Sequence, residues 1–360
     1  MDRRRAGHKL SRIESGASME RFRVNTSVAM DRSRAMIVAS VVMVLIIAAL
    51  VFCSLLVGAA HISLQGVLDA FSPHDSVEKI IVLQLRLPRA ILALLIGAIL
   101  GLSGAVLQAL LRNPLAEPSV LGASNSAALG GVIALYYGLT KLSVFVLPSM
   151  AIGGALLALL VLLLLARSTE GPLGLILAGI SISTVAGAGI ALALNRSSNP
   201  FAMMEITFWL MGSLEDRSFQ HVWIALPTTV IGAALLAWNG RALDALVLGE
   251  EGARSLGVDL RAVRARAVLG IAIGVGGAVA VSGSIGFVGL IAPHLARPFT
   301  DGRPSRVLWP SALTGAILVS AADILVRLVP GDNELRLGVV TAFLGVPFFL
   351  AFLFKERRNW

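Results

Sequence analysis

The side chains that could do chemistry in this chain are few and poorly spaced for it. Five histidines, His8, His61, His74, His221 and His294, show neither an HExxH pattern nor another metal-ligand spacing. The one cysteine, Cys53, lies inside a long apolar run, so neither a disulfide nor a thiolate metal centre can be built within the chain. No resident metal and no catalytic group are expected. The four lysines, Lys9, Lys79, Lys141 and Lys355, follow His, Glu, Thr and Phe, so the Gly-Lys-Ser/Thr loop that wraps nucleotide phosphates is missing. A proton relay would need carboxylates or bases within membrane spans. Asp323 is the main candidate, but Arg327 follows one helical turn later, where the two can pair. A structural pair is the favoured reading of these two residues.

The elements that must hold these residues follow from composition. Of 360 residues, 56% are hydrophobic and 14% charged, with a mean hydropathy of +0.84; a soluble enzyme is excluded. The net charge of +9 does not point to nucleic acid, because the Lys and Arg sit between apolar runs and form no face with interleaved aromatics. Stretches free of ionisable side chains run Met36 to Ala60, Ala90 to Leu111, Pro118 to Thr140, Leu142 to Ala166, Gly171 to Asn195, Val222 to Gly240, Ala267 to Pro293, Val307 to Ala322 and Leu337 to Phe354. Each is a candidate membrane helix. The basic first 35 residues and the basic tail at Lys355, Arg357 and Arg358 place both ends in the cytoplasm, which requires an even number of crossings. The seventh stretch resolves the parity. Ser282-Gly283-Ser284-Ile285-Gly286 can turn the backbone there, leaving a short eighth span from about Gly286 to Ala296. Ten spans put 22 of the 30 Lys and Arg inside and 8 outside. The fold class expected is therefore all-α and polytopic, with ten transmembrane helices over residues 36–356. A basic, disordered tail precedes them over 1–35. The first run is too long for a signal h-region and is expected to be a retained helix.

Five ordered blocks resemble the FecCD family of ATP-binding cassette (ABC) importer permeases. They are Arg86-Leu87-Pro88-Arg89 through Arg112-Asn113-Pro114-Leu115-Ala116-Glu117-Pro118; Trp209-Leu210-Met211-Gly212-Ser213-Leu214; Leu248-Gly249-Glu250 with Ala253 and Leu256-Gly257-Val258; Gly283 to Arg297; and Glu334 with Gly338-Val339-Val340-Thr341-Ala342. One departure stands out: where the family usually has Glu-Leu-Pro-x-Gly, this chain has Glu334-Leu335-Arg336-Leu337-Gly338. The resemblance implies a type II importer permease of ten helices in a bacterial inner membrane. Such a permease pairs with an identical or paralogous subunit. Its partners would be two ATPase subunits holding ATP-Mg and a periplasmic or lipoprotein substrate-binding protein, with no cofactor in this chain and no nucleic acid. Its cargo would be a ferric siderophore, with haem or cobalamin as alternatives. An ATP-independent secondary transporter is a more distant possibility.

Roles then fall on positions. The cytoplasmic joint of about 247–264 resembles the family's ATPase-coupling segment, with Leu248, Glu250, Ala253, Arg254, Leu256 and Gly257 as its site residues. Ala253 and Leu256, three apart, are expected on one face of a short helix that Gly257 ends; an ordinary amphipathic linker is the alternative. Outside, Arg86, Arg89 and Arg327 either snorkel to the interface or, as the resemblance implies, dock the binding protein. Ser181, Ser183 and Thr184 serve helix packing or form a weakly polar wall of the path. Met203, Met204 and Trp209 on a short external helix would adapt to bulky cargo. A cytoplasmic gate is expected at Ser168 and Thr169.

Overall fold

The computed structural model describes residues 35–73, 76–166, 172–329 and 334–357, and every regular element among them is helical. In chain order these are α1 (Ala35–Leu56), α2 (Leu64–Asp69), α3 (Val77–Ile80), α4 (Leu87–Leu110), α5 (Ala123–Tyr136), α6 (Val146–Ala166), α7 (Pro172–Arg196), α8 (Pro200–Leu210), α9 (Phe219–Ala237), α10 (Gly240–Leu246), α11 (Gly249–Ser255), α12 (Leu260–Ser282), α13 (Val288–Ala296), α14 (Pro304–Leu328) and α15 (Leu337–Arg357). A π-helical turn, Ile81–Arg86, joins α3 to α4. The basic tail before residue 35 and the expected gate residues Ser168 and Thr169 lie outside the described residues.

Each of the ten expected stretches holds one helix: α1, α4, α5, α6, α7, α9, α12, α13, α14 and α15. Among the described residues, the helices of α1, α4, α6, α7, α9, α12 and α14 are long and apolar enough to cross a membrane alone, whereas α5 and α13 are shorter. The seventh stretch breaks where its glycines allow it. Gly283 takes φ +71° after α12, and Phe287 takes φ +66° before α13. The nine residues of α13 rise only about 14 Å, roughly half of a hydrocarbon core.

Burial separates two kinds of helix. The span containing α4 is 78% buried in its most apolar window, whereas that of α7 is 22% buried, so α4 is a central post and α7 an outer wall. Small residues explain how neighbours come so close to α4. A Cβ at Gly97 would meet the Gly315 carbonyl of α14, and one at Gly104 would meet the Gly289 carbonyl of α13. In an apolar solvent such backbone-to-backbone approach replaces the hydrophobic drive as the source of helix association. Leu92, Ile96, Ile99 and Leu107 of α4 fill the surrounding space and are fully buried.

Candidate functional site

The polar joints gather at the two ends of the helical bundle. At one end, α10 and α11 lie beside the α4–α5 joint and the start of α14. Asp244 accepts hydrogen bonds from the Ser305 amide and hydroxyl at 2.9 and 2.6 Å, and His294 donates from Nε2 to the Pro114 carbonyl at 2.9 Å. Gln108 and Arg297, deeper at this end, are joined at 3.0 Å. Burial pushes the Arg297 guanidinium below its ordinary pKa.

Helix α11 is organised by its ends. Glu250 and Glu251 occupy its first turn, where the helix dipole favours negative charge. Glu250 is held by Arg264 at 2.6 Å, with Arg254 at 3.7 Å. Gly257, at φ +81°, and the Val258 amide bonding back to the Ala253 carbonyl close the helix. Asp259 then caps α12, accepting from the Arg261 and Ala262 amides. The expected shared face of Ala253 and Leu256 does not form. Ala253 is fully buried against the core, while Leu256 sits at the C-cap, beyond the last helical residue, and is 65% exposed. The exposed apolar side chains are instead Val247 and Leu248 before α11 and Leu256 after it.

At the opposite end, the three arginines singled out from the sequence are turned inward. Arg86 donates from Nη1 to the Leu55 and Leu56 carbonyls at 2.6 and 2.9 Å and from Nη2 to the Ala60 carbonyl. Arg327 donates to the Ser54 and Val57 carbonyls, both at 2.9 Å, and to the Ser54 hydroxyl. Both therefore satisfy carbonyls at and just beyond the C-terminus of α1. Arg89 lies between α14 and the start of α15: Nε meets Asp323 Oδ1 at 2.9 Å, and its two terminal nitrogens grip both Glu334 oxygens. Arg327 Nη2 lies 2.9 Å from Asp323 Oδ2 in ion-pair contact, the pairing expected from their spacing.

Arg336, the residue that departs from the family pattern, is also engaged. Nη1 pairs with Glu215 at 2.7 Å, and the guanidinium lies 5.0 Å from the Phe208 ring centre. Two backbone bonds, Leu337 N to Gly212 O and Gly338 N to Met211 O, bind the start of α15 to the same loop. Neither Glu215 nor its pairing with Arg336 was legible in the sequence, because the two are far apart along the chain.

The expected path residues divide by exposure. Ser181 and Thr184 face outward on α7, each hydroxyl donating to the carbonyl four residues back. Met203 and Met204 of α8 are exposed too. Ser183 is half-buried and bonded by Asn125 Nδ2 at 2.5 Å. Trp209 packs over Gly131, where an added Cβ would strike its ring. Ser183 and Trp209 thus hold the wall together, while Ser181, Thr184, Met203 and Met204 present its surface. No cluster of three or more His, Cys, Asp or Glu side chains suited to a metal occurs among the described residues.

The profile of the FecCD transport family matches residues 44–355. The chain belongs to the FecCD transport family. Among its relatives, the vitamin B12 import system permease protein BtuC of Vibrio cholerae is 41% identical over 297 residues, 81% of this chain and 88% of the relative. The uncharacterized ABC transporter permease protein YvrB of Bacillus subtilis is 36% identical over 301 residues, 82% of this chain and 84% of the relative. An ABC transporter assigned to the metal-chelate type and solved in an inward-facing conformation superposes with a TM-score of 0.80 at 30% identity, covering 88% of this chain and 98% of that one. PsaBC from Streptococcus pneumoniae, at TM-score 0.51 and 15% identity, shares the fold only. This FecCD chain is thus an integral membrane permease of an ABC importer, a transport subunit whose ATPase activity resides on separate subunits.

Proposed function

We propose that this permease forms half of a translocation path for a bulky metal chelate, crossing a bacterial inner membrane ten times with both termini in the cytoplasm. The observation that carries the cargo class is the outward wall of α7 and α8. Ser181 and Thr184 of α7 offer weak polarity without a fixed charge that would hold a large ligand in place, and the exposed Met203 and Met204 of α8, beside the exposed Glu205, add pliable sulfur. A second subunit, the same chain or a paralogue, would close the other side. Two ATPase subunits carrying ATP-Mg would seat one on each permease subunit, at the segment of Val247, Leu248 and Leu256, with Glu250, Arg254 and Gly257 shaping it and Ala253 anchoring it from inside. Ser168 and Thr169 are proposed as the cytoplasmic gate between α6 and α7. For Arg86, Arg89 and Arg327, the inward bonds favour positioning of the outer rim over direct contact with a periplasmic or lipoprotein binding protein. A carboxylate from outside would have to displace Asp323, Glu334 or the α1 carbonyls.

Two cargoes are in view. A ferric siderophore fits the metal-chelate class of the structural relative, whereas cobalamin is favoured by the identity to a vitamin B12 permease. Proteoliposomes holding the permease, its ATPase and its binding protein, offered ferric siderophores, haem and cobalamin in turn, decide between them. ATP-dependent uptake of one class is expected. Uptake without ATP would point to a secondary transporter and overturn the reading.

A further inference from the structure

A cleft of about 1280 Å³ opens between α4, α9, α10, α12 and α14 at the end that carries Asp244 and Ser305. It is separate from the α7–α8 wall. Its depth is aliphatic, with Ile99 and Leu102 near the middle of α4 and Ala312 of α14 among its walls. Its mouth has the opposite character. Trp238 and Trp309 stand 72% and 63% exposed there, and Arg241 and Arg266 lie beside them.

The charges at this mouth are unequally engaged. Arg266 donates to Asn239 Oδ1 at 3.2 Å and lies 5.7 Å from the Trp238 ring centre. Asp259, the carboxylate at the rim, is occupied in capping α12. Arg241 is exposed and makes no ion pair with any described residue. A free cation and a stacked one, flanked by exposed tryptophans above an apolar slot between membrane helices, are complementary to an anion with a hydrocarbon tail. Exposed Trp marks the membrane–water interface, and basic pockets between membrane helices take anionic lipid headgroups. A soluble protein would have to push apolar side chains as deep as Ile99 to fill the same slot.

We propose that this cleft binds an anionic phospholipid, its phosphate on Arg241 and Arg266 and an acyl chain against Ile99 and Leu102. Leu256 and Gly257 also line the mouth, so the lipid would touch the end of α11 and couple membrane composition to the segment proposed to receive the ATPase. That coupling, and the cytoplasmic leaflet it implies, rest on the proposed function; the lipid site itself rests on the cleft.

Brominated lipids quench tryptophan at contact and test the site directly. The full chain in phosphatidylcholine nanodiscs, doped with brominated phosphatidylglycerol or with brominated phosphatidylcholine at equal fraction, should be quenched preferentially by the anionic lipid. Arg241→Gln should reduce that preference about fivefold, the factor equivalent to about 1 kcal/mol per cation near an anionic surface. Trp238→Phe with Trp309→Phe should remove the lipid-specific part. Equal quenching by both lipids, or a preference unchanged in Arg241→Gln, would overturn the proposal. Loss of the lipid-specific quenching when the ATPase subunits assemble would also overturn it, assigning the cleft to the protein partner. Uptake is not part of the readout, so a failed transport reading and a failed lipid site give different results.

Discussion

Arg89 Nε lies 2.9 Å from Asp323 Oδ1, a contact that ties α4 to α14 across 234 residues of sequence. The carboxylate of Asp323 faces Arg327 as well, so one buried acid balances two arginines, while Glu334 holds the outer side of Arg89. Charges taken out of water are tolerated only when paired. The cluster therefore sets how α1, α4, α14 and the start of α15 meet at this end of the bundle.

Asp323→Ala leaves two buried guanidinia short of a partner, which typically costs about 3–5 kcal/mol for a buried pair broken on one side. A fall in the thermal unfolding midpoint of the purified permease is expected, with Asp323→Asn milder because the amide oxygen still accepts a hydrogen bond. An unchanged midpoint for the alanine variant would show that water reaches the cluster.

Gly104→Ala places a methyl group on the Gly289 carbonyl of α13, whereas a methyl at Gly153 meets open space. Overpacking of this kind typically costs about 1–3 kcal/mol, and here the obstacle is backbone that cannot rotate away. Size-exclusion profiles should show Gly104→Ala aggregated or poorly expressed and Gly153→Ala unaltered. Equal behaviour of the two would mean that α4 and α13 can separate without penalty.

Leu256→Asp changes an exposed residue at the C-cap of α11. Membrane insertion and the melting temperature should stay as in the unmodified chain while ATP-driven uptake is lost. Ala253→Asp should instead fail to fold, since it would place a carboxylate in a fully buried position. Retained uptake by Leu256→Asp would remove this residue from the coupling surface.

Arg336→Glu opposes Glu215 with a like charge. Because both side chains are partly exposed, the attraction lost is at most about 1 kcal/mol. The double exchange Glu215→Arg with Arg336→Glu should recover most of it in a double-mutant cycle on thermal stability. Absence of coupling would leave stacking on Phe208 as the contribution of Arg336.

Much of the helical plan was legible because it depends on runs of residue types. Uncharged stretches located α1, α4, α5, α6, α7, α9, α12, α13, α14 and α15, and the break after Ser282 followed from glycines that permit positive φ. The pairing of Asp323 with Arg327 was legible for the same local reason, a separation of one turn. The orientation of Ala253 and Leu256 was not. Their spacing suggested a shared face, but α11 ends at Ser255 and the chain turns at Gly257, so the two side chains diverge.

The sequence by itself determined a membrane protein and where its long helices run, since these follow from where charge is absent. Only the tertiary structure decided what these arginines do. Arg86 and Arg327 bond to the end of α1, Arg89 to Asp323 and Glu334, and Arg336 to Glu215. A guanidinium in an apolar surrounding must satisfy its donors wherever acceptors exist. Those acceptors come from distant segments brought together by the close packing of α4 against its neighbours.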